Sequence, residues 1–182
     1  MLPATATRRS ALTELRQAAR VLDAARRRCG SPFAMSSALT AMARACRSLH
    51  DEVNAEGYLD EALRWARAAG SIDLVVDLLC ELCEVCAALG LATAEEDESP
   101  DPAACERMRD HAFEASTLAN RVADASWEAK VLMRIGAVLE SCGDRDDAVL
   151  LQTRALRLMS GSLAAGAPDP TLLPSLGRLA DS

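Results

Sequence analysis

Three cysteines two residues apart (Cys80, Cys83 and Cys86) and two histidines (His50 and His111) are the side chains here whose types could do chemistry. A Cys-x2-Cys-x2-Cys run can open an iron–sulfur ligand set, but a further thiolate must then follow after a short gap. None comes before Cys105. The three also lie in the apolar run Asp73 to Leu89, which reads as continuous helix. On a helix, positions i, i+3 and i+6 fan over about 120° and do not converge on one ion. Core thiols packed among leucines are the favoured reading. Cys29, Cys46, Cys105 and Cys142 stand apart. An odd total of seven, with no export signal at the start, fits free thiols in a reducing cytoplasm better than a disulfide framework. His50 precedes Asp51 and Glu52, but helix neighbours one or two apart do not face each other. His111 sits near Glu106 and Glu114 on a polar side and reads as solvated. No nucleophile–base–acid spacing, phosphate loop or metal quartet occurs, so the sequence implies no catalytic residue, no metal and no cofactor.

Those residues must be positioned by helices. Apolar residues make up 50% of the 182 and aromatics only 3%, so alanine and leucine carry the burial. That balance points to an all-α fold, since a sheet of this size would want more Val, Ile, Tyr and Phe. The net charge of −7 is unevenly spread. Residues 1–30 carry seven arginines against Glu14 and Asp23, whereas the remainder is strongly acidic. An acidic body repels phosphate, which argues against nucleic acid as a partner. No stretch reaches the 18 or so apolar residues of a membrane span, which argues against a membrane.

In chain order, the first helix is expected over 10–29, with Ser10 as its cap and Leu12, Leu15, Ala19 and Leu22 on one face. Gly30-Ser31-Pro32 ends it. A second helix is expected from Phe33 to Asn54, with Leu39, Met42, Ala43, Cys46, Leu49 and Val53 inward. Gly57 is expected to break it before a return helix, 59–69. After Gly70-Ser71 the apolar helix 73–89 follows, stopping at Gly90. Residues 91–102, with Glu95-Glu96-Asp97-Glu98, read as an exposed acidic loop. Helix resumes from Pro102 to Val122. A hairpin comes next: Trp127 to Ser141, a break at Cys142-Gly143-Asp144, then Asp146 to Met159. The tail, 161–182, reads as a flexible segment with a short capping helix on Leu172, Leu173, Leu176 and Leu179. All of this is expected to form one helical domain.

Three units can be aligned on the break glycines Gly57, Gly90 and Gly143. Seven residues before each stands a candidate for close packing: His50, Cys83 and Gly136. Leu49, Leu82 and Ile135 precede those, and Val53, Cys86 and Leu139 follow three residues later. On the return helices the same alignment equates Ala62, Ala115 and Ala148. The step from Gly57 to Gly90 is 33 residues, near a 34-residue period, whereas Gly90 to Gly143 is 53. The middle unit therefore carries an insertion.

The pattern resembles the tetratricopeptide repeat. Its motif places a large residue and a leucine before a small residue, here Leu132, Ile135 and Gly136. Leu139, the turn glycine Gly143, and the small residues Ala148 and Ala155 complete the third unit. His50 and Cys83 depart from the expected glycine or alanine, and Gln152 from an aromatic. The resemblance covers about residues 43–160, with 10–42 as leading helices. It implies antiparallel helix pairs stacked as a short right-handed superhelix, and a concave groove lined by the first helix of each pair. Carried over, the groove residues are Arg44, Arg47, Asp51 and Asn54, then Asp77, Cys80 and Glu84, then Lys130, Met133, Ala137 and Glu140. Cys80 would be the reactive thiol.

Three functions remain open from sequence. One is a non-catalytic module binding another protein or peptide in that groove, a scaffold or a small chaperone like those that hold bacterial secretion substrates. Another is a homo-oligomer subunit pairing through its terminal helices, on Leu12, Leu15 and Leu22 or on Leu172 and Leu176. The third is an enzyme or metal protein built on Cys80 and His50.

Overall fold

The computed structural model describes residues 4–27, 30–92 and 101–165, all in helices and short turns. In order these are α1 (Ala4–Arg27), α2 (Pro32–Arg47), α3 (Glu52–Ala69), α4 (Ile72–Ala92), α5 (Pro102–Ala119), α6 (Ala125–Ser141) and α7 (Arg145–Ala165). Among the described residues there is no strand, as the alanine- and leucine-rich composition predicts. The acidic run 93–100 and the expected capping helix at 171–179 lie outside the described residues.

Each start signal is chemical. Ser31 Oγ accepts from Ala34 N at 3.3 Å, and Pro32 opens α2, where a missing N–H is harmless. Asp51 caps α3 through Asn54 N at 3.3 Å, and Asp124 caps α6 through Trp127 N at 2.9 Å. Asp101 accepts from Ala103 N at 3.0 Å at the start of α5.

The residues divide into two compact units, one up to Ala115 and one from Ser116 on. In the first, α1 packs on α2, α2 on α3 and α3 on α4, and the short turns at 48–51 and 70–71 make α2, α3 and α4 successively antiparallel. α4 runs back against α5. Cys83 Sγ donates to the Met108 carbonyl at 3.5 Å, while Gly90, further along α4, lies against Ala104 and Cys105, earlier in α5. The first pair, α2/α3, stacks on α4/α5. Arg44 meets Glu81 and Arg47 meets Glu84, so α2 and α4 run parallel. Glu56 meets Arg107 and Arg67 meets Glu114, so α3 and α5 do as well. Leu39, Leu59, Leu78, Leu79, Leu82 and Met108 fill the seams. In the second unit α6 and α7 form a third antiparallel pair around Ala129, Leu132, Ala155 and Met159. Arg154 on α7 donates to Glu128 and to Asn120, both at 2.6 Å.

Several expectations are corrected. α1 begins at Ala4, so Ser10 is inside it and bonds Glu14 at 3.1 Å instead of capping; Ala11, Ala18 and Leu22 face inward, and Leu12 is exposed. α2 stops at Arg47 and α3 starts at Glu52, which places Gly57 inside α3 and leaves Val53 70% exposed. Gly90 is inside α4, which continues to Ala92. α5 ends at Ala119, and α7 extends past Met159 to Ala165.

The first turn is not made by a glycine. His50 adopts φ 60° there, its N–H bonding Arg47 O at 3.0 Å and that of Asp51 bonding Cys46 O at 3.0 Å. Gly143, φ 86°, makes the same two bonds through Gly143 N and Asp144 N, to Glu140 O and Leu139 O. Both are the paired closure typical of a helix ending on a left-handed residue. His50 thus corresponds to Gly143 and is exposed, and the close-packing place seven residues earlier belongs to Ala43, which is fully buried. The matching residue five after the turn is Ala55, not Ala62, beside Ala148; by burial pattern Ala104, not Ala115, is its counterpart on α5. A side chain at φ near 60° is strained by roughly 1–2 kcal/mol relative to glycine. His50→Gly is therefore expected to raise stability by about 0.5–1 kcal/mol and Gly143→Ala to lower it by about 1 kcal/mol. Thermal melts should shift a few degrees in opposite directions.

Candidate functional site

Two surfaces of the first unit gather the polar and exposed apolar side chains that sequence reasoning sought. On one, α2 and α4 lie side by side. Arg44 donates from Nε to both Glu81 oxygens at 3.1 and 3.3 Å, and also from Nη2. Arg47 Nη1 donates to Glu84 at 3.0 Å, and its Nε lies 4.0 Å from Glu52. The Glu81 side chain is 6% exposed, so Arg44 covers a carboxylate that would otherwise sit unpaired in the seam between helices. Of the residues expected to line a groove, Arg44, Arg47, Asp77 and Glu84 share this face. Asp51 and Asn54 are at the α2–α3 turn, where Asn54 Nδ2 donates to Asp51 at 2.7 Å. Cys80 does not point outward; at 2% exposure it is part of the core. In the second unit, Lys130 and Ala137 are exposed, Met133 is half-buried against the α6/α7 core, and Glu140 accepts from Gln152 Nε2 at 3.3 Å.

The second surface is a channel between α1 and α2 of about 870 Å³. Ala34, Ala38, Ala41 and Ala45 recur along α2 at steps of three or four and floor it, with Ser37 and Ser48 alongside. Thr13, Glu14, Gln17 and Val21 of α1 form a wall. Phe33, 57% exposed, and Val21, 48% exposed, stand at its edges, and Arg44 lies at its border with α4. Sequence reasoning attended to the leucine-bearing stripe of α2 and missed this one. Its signal was present as a run of small residues on the flank adjacent to Met35, Leu39, Met42 and Cys46.

On the far side, α3 and α5 enclose a recess of about 470 Å³ lined by Asp60, Arg64, Arg67 and His111. Burial holds the His111 imidazole below its ordinary range, against the pull of Asp60, Glu114, Glu56 and Asp110. Nearby, Glu56 accepts from Arg107 Nε at 2.8 Å and from Cys86 Sγ at 3.4 Å. Burial first, and then the Glu56 carboxylate, push the Cys86 thiol up to about 12. The described cysteines are thiols outside any disulfide, and all but half-buried Cys142 are enclosed. Among the described residues, no group of three or more His, Cys, Asp or Glu is arranged to hold a metal ion, and no helix is long and apolar enough to cross a membrane. Histidine 50 and cysteine 80 are on different helical elements, one at an exposed turn and one in the core, and form no joint site.

No family profile and no curated protein matches this sequence. Among solved structures it is similar to the crystal structure of BtubC (BKLC) from P. vanneervenii, with a TM-score of 0.64 and 16% identity. The match covers 86% of this chain but only 59% of that one. The likeness is one of fold. It supports what the geometry shows independently: an all-helical chain of antiparallel helix pairs resembling a TPR-like array.

Two outcomes follow from the thiols and the imidazole. Alkylation of the native protein near pH 8 should modify Cys142 first among the described cysteines, and Cys80, Cys83 and Cys86 only after denaturant is added, as peptide mass mapping would show. Burial makes the folded chain bind the His111 proton less readily, so below about pH 6.5 the unfolded chain takes it up more. Its contribution is intact above that pH and is lost as pH falls through it. Urea midpoints measured from pH 7.5 to 5.5 should drop more steeply for the wild type than for His111→Gln.

Proposed function

We propose that this protein is a non-catalytic interaction module of the tetratricopeptide type, binding another protein or a peptide on the helical surface of its first unit. One observation carries the reading: the α1–α2 channel, an apolar trough open to solvent along most of α2 and edged by exposed Phe33 and Val21. Exposed apolar ground of this kind, rimmed by polar groups, marks places where chains meet. Scaffolding of this sort also suits the fold, because stacked helix pairs present long continuous faces. The inner face of α2 and α4 adjoins the channel at Arg44, so a partner could extend from one onto the other. Arg44 and Arg47 are engaged by Glu81 and Glu84, which leaves the apolar trough as the principal source of affinity and the ionic face as a modulator.

The test is affinity capture by the purified full chain from an extract of its native cells, with the retained proteins identified and titrated. Retention of a saturable partner is expected, weakened at least tenfold by either Ala41→Trp in the channel or Asp77→Arg on the inner face. Failure to retain any protein, or retention unchanged by both substitutions, would defeat the reading.

A further inference from the structure

We infer that the α1–α2 channel receives an acidic amphipathic helix of a partner protein, lying along α2; this rests on the interaction-module reading above. The repeat itself points to a helix. Ala43 and Cys83 hold corresponding places in the two stacked pairs, so Ala38, Ala41 and Ala45 on α2 correspond to Leu78, Glu81 and Val85 on α4. That flank of α4 is buried, and Glu81 within it meets Arg44 of α2. A helix therefore covers the flank in the second pair. On α2 the same flank is the channel floor: Ala38 and Ala45 are buried at its base, while Ala41 between them, and Ala34, Ser37 and Ser48 beside them, are exposed where Glu81 on α4 is covered. What the fold places against the equivalent surface is another helix.

Size agrees with this. From Ala34 to Ser48 the floor spans fourteen residue steps, roughly 21 Å at 1.5 Å per residue, about four helical turns. Side chains no larger than alanine or serine along it let a second axis approach to about 8 Å, the close end of helix packing. A row of leucine-sized side chains at i, i+3/i+4 and i+7 fills such a trough, while Phe33 and Val21 clasp its edges.

Charge selects among helices. Arg9, Arg16 and Arg20 are exposed and stand three or four residues from Thr13 or Gln17, so they share the outer rim of the α1 wall. Arg44 borders the opposite side but is paired with Glu81, so the positive charge comes from the α1 rim. Glu14 is the single carboxylate lining the channel, and it already accepts a hydrogen bond from Ser10. The surroundings are thus positive on a protein that is acidic as a whole, and the matching helix carries Asp or Glu beside its apolar stripe.

Fluorescence anisotropy with the full chain tests this, using three labelled 16-residue peptides of one leucine content. One has glutamates flanking a leucine stripe, one has lysines in their place, and one has the acidic composition scrambled so that no stripe forms. The acidic amphipathic peptide is expected to bind at least tenfold tighter than either control and to weaken with salt. Ala41→Trp or Ser37→Trp should reduce that binding at least tenfold while the circular dichroism and melting temperature hold. The pair Arg16→Glu/Arg20→Glu should erase the preference for acidic over basic peptide. Equal binding of the three peptides, or binding untouched by both tryptophan variants, would overturn the inference. So would a dimer in light scattering that Ala41→Trp dissolves, since the occupant would then be a second copy. A natural partner lost on Asp77→Arg but retained by Ala41→Trp would also overturn it, and would leave the interaction-module reading standing.

Discussion

Close approach of two helices at each turn is the constraint on which this fold depends. In the third pair the room is visible directly: a Cβ added at Gly136 would come within 3.0 Å of Gln152 Cγ and 3.4 Å of the Ala148 carbonyl. In the first pair Ala43 holds that place and in the second Cys83, whose thiol rests on the Met108 carbonyl. Larger side chains there would separate the helices and open voids beside Leu39, Leu79 and Leu132. Tight packing of this kind loses dispersion contacts quickly as gaps widen. The small residues, more than the leucines, set the geometry, and the leucines then fill what that geometry leaves.

Stacking one pair on the next poses a different problem, solved with charge. α4 carries Glu81 on the flank that α2 must cover, and Arg44 reaches across to bond it through several contacts. Removing Arg44 would strand the buried Glu81 carboxylate, whereas Arg44, 66% exposed, would stay solvated without Glu81. The arrangement fixes which flank of α4 meets α2. It also neutralises side chains that, on sequence alone, look available for a ligand. The same holds for Glu84 with Arg47, while Glu140 keeps its charge and accepts a hydrogen bond from Gln152. A charged residue on a repeat's inner face is thus as readily a partner of the neighbouring helix as of a bound peptide.

The all-helical class and the third pair were legible because Gly143 is both the residue that ends a helix in the left-handed region and the only kind of residue a reader looks for there. The first pair was misread by seven residues, because His50 occupies that backbone conformation and Gly57, inside α3, drew the alignment. Seven residues are nearly two full turns, so the error slid positions along the axis while leaving them close to the correct face. Arg44 and Arg47 therefore still fall on α2 despite the wrong register, whereas Asp51 and Asn54 were carried past its end. Ala62 stood in for Ala55 by the same slip. On α5 the displacement from Ala104 to Ala115 is eleven residues, about three turns, and again preserves the face. Periodicity reports angle about a helix well and position along it poorly. Only the turn chemistry fixes the latter, and here one turn used an unexpected residue.

Cys80 shows a second limit. Its angle about α4 was known, but whether that angle meets solvent depends on which helix lies alongside, a fact of stacking and not of sequence period. The same reasoning explains why the α1–α2 channel escaped notice. An alanine stripe is ordinary helix surface by composition, and its meaning appears only when the corresponding flank of α4 is found covered. Because alanines expose little apolar area apiece, α2 tolerates an open flank that a leucine stripe would not. The apolar side chains large enough to need a neighbour, Phe33 and Val21, are held at its edges, where an incoming helix would meet them first. Small side chains on the floor and only two large ones at the rim thus limit the apolar area that the channel leaves in water.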